Sequence, residues 1–229
     1  RGKNLLNGFD KDLSECLEKS MNSAGINLKF KNKLKSIRII NDHLESTLES
    51  GRKLLTNNIL IATGREPSLK GLNLENLNLK MDGIYLEVNE LNQTSNSNIF
   101  AIGDIVKKPN LTPVAIEQAR VFVDNYFSDK KRKVYYENIP KAVFTTPEIS
   151  TVGLSEKEAK EIYSEVNVEV FKCIFTPMSN TFKKNKSKCM LKLVVNKKND
   201  KVLGCHMFGE AASEIIQMAS VSLNAGITK

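Results

Sequence analysis

The sequence contains no tryptophan, only two histidines and only four cysteines in 229 residues. Cys16, Cys173, Cys189 and Cys205 show no C-x-x-C spacing, and neither His43 nor His206 stands at ligand spacing from a cysteine pair. A zinc site is therefore not expected. The reading left is four separate, reduced, mostly buried thiols. No apolar run approaches the roughly 20 residues needed to span a bilayer as a helix. The G-x-G-x-x-G dinucleotide fingerprint is missing, and so is a signal peptide. The first residue is Arg1 rather than Met. Both ends read as cuts through a longer chain, so any targeting signal would lie outside it.

What is present has the composition of a globular chain: 41% hydrophobic, 26% charged and 7% aromatic. The net charge is +8, with basic clusters at residues 130–133, 183–188 and 197–201. Such clusters serve either as a phosphate or nucleic-acid surface or as solvated loops. They contain few aromatics and no nucleic-acid motif, so a nucleic-acid partner is not expected.

Periodicity predicts a helix over residues 13–24, where Leu13, Leu17, Met21 and Ala24 recur at helical spacing before Gly25. Strands are predicted at 26–30, 36–40 and 44–48. Short apolar runs at 58–64 and 99–103 each end in glycine, which suits strands buried on both faces. A further strand is expected near 84–88. Thr112 as N-cap and Pro113 at the first helical position open a helix running to about Phe127. Beyond a lysine-rich boundary, Ser155 and Glu158 form a capping box. Strands follow at 142–144, 168–175, 190–195 and 201–208, the last two as a hairpin. A final helix over 210–224 would bury Ile215, Ala219 and Leu223. Strands with helices packed on one face describe an α+β domain.

The segment richest in chemistry is Ala101-Ile-Gly-Asp104, followed by Leu111-Thr-Pro-Val-Ala115. An acid just past a buried strand lies at the carboxyl edge of a sheet, where open α/β folds bind ligands. Its carboxylate accepts from ligand hydroxyls, and a helix N-terminus beside it offers free N–H groups and partial positive charge.

At this point the chain resembles the glutathione reductase branch of the pyridine nucleotide-disulfide oxidoreductases. Ala62-Thr-Gly-Arg-Glu-Pro67 is similar to the strand closing the NADPH domain, and the segments around Asp104 and Thr112 to the second FAD motif. Asn138 to Glu148, Thr151-Val-Gly-Leu154, Phe175-Thr-Pro-Met178 and Gly204-Cys-His-Met-Phe-Gly209 resemble parts of the dimer-interface domain. The resemblance implies an α/β and α+β fold. Residues 1–67 would be the end of an NADPH-binding domain and 68–134 the end of an FAD-binding domain, both Rossmann-like remnants. Residues 135–229 would be a truncated α+β dimerisation domain.

The resemblance also implies roles. Asp104 with Gly103 would hold the ribityl chain of FAD, and Leu111, Thr112, Pro113 and Ala115 would lie against the flavin. Gly64 and Arg65 would border NADPH; the other reading of Arg65 is a surface arginine at a domain junction. Arg1 would clamp the 2′-phosphate, with Lys3 adding a point charge, because Gly2 and Asn7 stand where the family pattern has basic residues. Residue type alone equally allows Arg1 to be an exposed arginine near a chain end. Arg120 would pair with a carboxylate of glutathione disulfide, or else be a helix-surface arginine. Phe175, Thr176 and Met178 would wall the disulfide pocket of the partner subunit in a homodimer, or else be core. The C-x-x-x-x-C redox pair and the His-Pro catalytic segment are not in this sequence. His206 reads as packing or interface, and the piece alone is expected to be inactive. The implied parent is a cytoplasmic NADPH:glutathione-disulfide reductase. The alternatives are a dihydrolipoamide dehydrogenase or mercuric reductase type of flavoprotein, or a non-catalytic FAD-binding and dimerisation scaffold.

Overall fold

Asp10 ends the irregular start of the chain by accepting the Asp12 N–H at 3.0 Å, which caps helix α1, Lys11–Ser23. The computed structural model describes every residue except Arg1, Lys3 and Asn185. It divides the chain into two units, one of Arg1–Ile59 with Glu137–Lys229 and the other of Leu60–Tyr136. No helix among the described residues is long and apolar enough to cross a membrane.

In the first unit, β1 (Leu34–Ile40), β2 (His43–Leu48) and β3 (Lys53–Thr56) form an antiparallel sheet in chain order. The third of these strands has no counterpart in the sequence reading. The predicted strand at 26–30 is irregular chain instead.

The main sheet has five antiparallel strands in the order β6-β7-β10-β9-β8. They are β6 Lys141–Val143, β7 Glu148–Gly153, β8 Val168–Phe175, β9 Cys189–Asn196 and β10 Val202–Gly209. Helix α3, Glu156–Tyr163, starts in the expected capping box between Ser155 and Glu158. Helix α4, Ala212–Asn224, follows β10.

Both faces of this sheet are covered, rather than one. Residues of a strand alternate between faces. On one face Val152 and Met207 pack against Ala212, Ile216 and Leu223 of α4. On the other, Ile149, Met190 and Phe208 pack against Leu13 and Leu17 of α1. Val168 and Val194 meet Ala159 of α3. Sequence reading expected Ile215 as the inward isoleucine of α4. The helix is rotated so that Ile216 is buried and Ile215 is 47% exposed, since both residues are apolar and the pattern alone cannot choose between them.

Gly153 and Gly204 face each other across β7 and β10. A Cβ on Gly204 would lie 2.0 Å from the Leu154 carbonyl oxygen, so no side chain fits there.

The second unit is built from short pieces. Strands β4 (Met81–Asp82) and β5 (Tyr85–Leu86) pair as a small hairpin. Leu86, Ala101 and Val106 form its core, and Phe100 packs edge-on against Tyr126 with ring centroids 4.6 Å apart. Helix α2, Thr112–Phe127, supplies Val114 and Val121 as buried residues. The runs at 58–64 and 99–103 are not strands: Leu60 is 91% exposed, and 99–103 makes only a single bridge, between Phe100 and Gln93. A strand buried on both faces needs flanking strands, and none pairs with either run among the described residues.

Candidate functional site

The Gly-Asp turn is built from both sides. Ala101 and Val106 are buried and anchor its ends. Between them Gly103 takes φ +74°, a left-handed conformation that favours glycine, and residues Gly103–Ile105 form one 3-10 turn. The Gly103 N–H donates to Gln118 Oε1 at 2.6 Å, and Gln118 Nε2 donates to the Tyr136 hydroxyl at 3.0 Å. Gln118 is fully buried, so this pairing satisfies an amide that would otherwise be costly to enclose. It fixes the turn to the first two turns of α2: a Cβ at Gly103 would lie 3.6 Å from Ala115 Cβ.

The result is an exposed Asp104 carboxylate near a helix start. Leu111, not Thr112, is the N-cap; its extended backbone carbonyl accepts from the Val114 and Ala115 N–H groups at 3.0 and 3.1 Å. Thr112 is the first helical residue and Pro113 the second, so the threonine hydroxyl does not cap and faces solvent with its own N–H. Among the described residues neither Asp104 nor Arg120 makes an ion pair. Arg120 is exposed on the same helix, eight residues or roughly 12 Å of helix rise beyond Thr112. Gly103, Asp104, Leu111, Thr112, Pro113, Ala115 and Arg120 thus share one unit, as do Gly64 and Arg65, which lie in exposed irregular chain.

Phe175, Thr176 and Met178 belong to the first unit, at the end of β8 and in the turn that follows. Phe175 is 40% and Met178 90% exposed, so core packing does not account for them. Arg1 and Lys3 lie outside the described residues. The four cysteines are unbridged. Only Cys189 is fully buried, and Cys173 is exposed, against the expectation of mostly buried thiols. Strand β8 is an edge strand, so one of its rows of backbone N–H and C=O groups has no neighbouring strand among the described residues.

A second concentration of polar groups escaped the sequence reading. Thr151, His206 and Lys192 face each other across β7, β10 and β9 on the sheet face that carries α1 and α3. His206 is fully buried between Thr151 Oγ1 at 2.5 Å and the Leu154 carbonyl at 3.1 Å. Burial holds its imidazole below the usual range, hence neutral. Lys192 Nζ contacts Asp10 Oδ1 at 2.8 Å, Asp12 Oδ2 at 2.6 Å and Glu156 Oε2 at 2.8 Å. Burial opposes its charge, but the hydrogen bonds to these three carboxylates outweigh it and raise the ammonium above its ordinary value. Asp12 and Glu156 are held low in turn: burial works against the Asp12 charge, but the bonds to Lys192 and Lys172 prevail, and Glu156 is lowered by Lys160 and Lys192.

Comparison with known proteins places these features in a family. The model for pyridine nucleotide-disulphide oxidoreductases matches residues 1–119. The model for the dimerisation domain of these oxidoreductases matches residues 139–229. The chain belongs to the pyridine nucleotide-disulphide oxidoreductases. It is 38% identical to a glutathione reductase of Nostoc sp. (strain PCC 7120 / SAG 25.82 / UTEX 2576) over 242 residues, covering all of this chain and 53% of that protein. It is 37% identical to one from Burkholderia cepacia, covering 51% of that protein. With the chloroplastic/mitochondrial glutathione reductase of Pisum sativum it shares 36%, covering 42% of that protein. The chain spans about half the length of the curated relatives it matches.

Proposed function

We propose that the chain is part of a flavin- and NADPH-dependent reductase of glutathione disulfide that works as a homodimer. The observation that carries this reading is similarity to glutathione reductases along the whole of the chain. The residues present fit a flavin: a solvent-facing carboxylate, a helix N-terminus with no side-chain cap and an exposed threonine, and a glycine turn fastened by Gln118. The chemistry a bound flavin supplies is two-electron transfer between a nicotinamide and a disulfide.

In this reading Asp104 accepts hydrogen bonds from the ribityl hydroxyls. Leu111, Thr112, Pro113 and Ala115 seat the pyrimidine edge. The N-terminus of α2 favours negative charge there by about 0.3–1 kcal/mol. Gly64 and Arg65 border the nicotinamide nucleotide, and Arg1 and Lys3 bind its 2′-phosphate. Arg120 pairs with a substrate carboxylate, while Phe175, Thr176 and Met178 contribute to the partner's disulfide pocket. The exposed apolar face of α4, with Ile215, Met218 and Val221, suits the dimer contact. Four unbridged thiols suit a reducing compartment such as the cytoplasm.

The test is NADPH oxidation by the intact protein with glutathione disulfide, lipoamide or mercuric ion as acceptor, repeated with NADH. Preference for glutathione disulfide with NADPH supports the reading. Turnover only with another acceptor, or none with any, overturns it.

A further inference from the structure

Lys184, Lys186 and Lys188 stand at every second position of the loop before β9 and rim a cleft of about 690 Å³. That volume lies within the range of small-molecule pockets. Lys19 of α1 adds a fourth ammonium to the lining. All of these residues belong to one unit. Among the described residues, none assigned above to flavin, nicotinamide nucleotide or disulfide lines the cleft, and neither does any aspartate or glutamate. None of the four lysines makes an ion pair among the described residues, whereas Lys160, Lys172 and Lys192 of the same unit do. The loop is tied down by Asn180, which is 2% exposed and donates from Nδ2 to Ser187 Oγ at 2.6 Å.

The rest of the lining is largely apolar: Ile174 of β8, Met190 of β9, Phe208 of β10 and Pro147. Ile174 is 53% exposed, so the chain's own side chains leave part of this apolar surface to water. Ser20, Ser23 and Ser187 add hydroxyls. At the C-terminus of α1 the Ser20, Met21 and Asn22 carbonyls accept from the N–H groups of Ala24, Ile26 and Gly25, each at 3.0 Å. An anion in the cleft therefore does not meet a row of free helix carbonyls.

Four ammonium groups without carboxylates repel one another, and an anion among them relieves the repulsion. A purely apolar ligand would leave that repulsion in place. A bare inorganic anion would leave Ile174 wet. A ligand that answers both has clustered negative charge at one end and an apolar body at the other. Phosphate suits the charged end, because lysine binds it as a point charge.

We propose that this cleft binds an organic polyphosphate, with its phosphates against Lys19, Lys184, Lys186 and Lys188 and its apolar body on Ile174, Met190 and Phe208. The site goes beyond the reductase reading and does not depend on it. Nucleoside triphosphates and coenzyme A thioesters share this chemistry.

The test uses the intact protein with excess NADP+, so that a nicotinamide-nucleotide site is already filled. ATP, octanoyl-coenzyme A and inorganic tripolyphosphate are titrated by calorimetry. At least one of the two organic ligands is expected to bind about tenfold more tightly than tripolyphosphate, since only an apolar body covers the floor. The variant K184Q/K186Q/K188Q changes three exposed side chains and should weaken that ligand about tenfold. Ile174→Ser should weaken it about fivefold and leave tripolyphosphate unchanged. The bound ligand should slow alkylation of Cys16, which lines the cleft, but not of the exposed Cys173. Binding by ATP alone assigns the site to nucleotides, and binding by octanoyl-coenzyme A alone assigns it to thioesters. Absence of binding by both, equal affinity for tripolyphosphate, or binding untouched by the lysine variant overturns the proposal.

Discussion

Lys192 and Arg120 are both cations on regular elements, and they occupy opposite circumstances. Lys192 is 2% exposed and surrounded by three carboxylates from two helix N-termini. Arg120 is exposed, with no ion pair among the described residues. A charge whose partners lie within the chain is committed to the fold. A charge left to solvent is available to a ligand. Substitutions should therefore separate the two: one set changing stability, the other changing binding.

The largest effect is expected at the buried cation. Lys192→Met leaves uncompensated buried carboxylates and should lower stability by about 3–5 kcal/mol in urea unfolding. The same replacement at Arg120 should leave stability within about 0.5 kcal/mol. Equal losses at the two positions would erase the comparison. On the binding side, Arg120→Met should raise KM for glutathione disulfide by roughly ten- to a hundredfold, the loss of a charged hydrogen bond of about 1.5–3 kcal/mol. Arg120→Lys should restore only part of this, because the forked geometry is lost. Steady-state kinetics at fixed NADPH would measure both.

Gln118→Leu tests the one place where the exposed site depends on a buried group. It orphans the Gly103 N–H and the Tyr136 hydroxyl, at a cost of about 1–3 kcal/mol. It should reduce flavin occupancy, measured by absorbance, more than it disturbs the five-stranded sheet. Unchanged occupancy would mean that Asp104 is placed by other contacts.

The smallest effect is with pH. His206 is held below its ordinary 6.5, so the unfolded chain binds its proton first. Its contribution is full above about 6.5 and falls as pH drops below that value. Asp12, Glu148, Glu156 and Glu158 are also held low and lose their contributions near and below the usual carboxylate range. Lys192 is shifted upward, so its contribution persists to its ordinary 10.5 and declines only above it. Burial pushes the thiols of Cys16, Cys189 and Cys205 above their ordinary 9.0, so the unfolded chain ionises there first and stability declines above about that value. Melting temperature should thus be level between about pH 7.5 and 8.5, lower at pH 5.5 and lower again above pH 9. A rise at pH 5.5 would contradict the buried, neutral histidine.

Elements governed by local signals were legible in the sequence. The capping box of α3, the span of α2 and the strand Val168–Phe175 follow from residues close together in the chain. Elements that depend on distant partners were not. The runs at 58–64 and 99–103 have strand composition but no neighbouring strand among the described residues. The Gly-Asp turn and the helix start of the candidate site could be read from spacing. Gln118 could have been suspected, since it falls on the buried face of α2 between Val114 and Val121. Lys192 gave no such sign: a lysine in a strand reads as solvent-facing, and its partner Asp10 lies 182 residues away.

The enclosure of Lys192 also separates the molecule's responses to ionic strength. At physiological salt, charges exposed to water are screened beyond about 8 Å, and screening tightens as salt is added. Capture of an anionic substrate by Arg120 should weaken steadily along such a series. Lys192 and Asp10 are shut away from the ions that would screen them, so the joint between α1 and the sheet should hold in brine that has already stripped the substrate away.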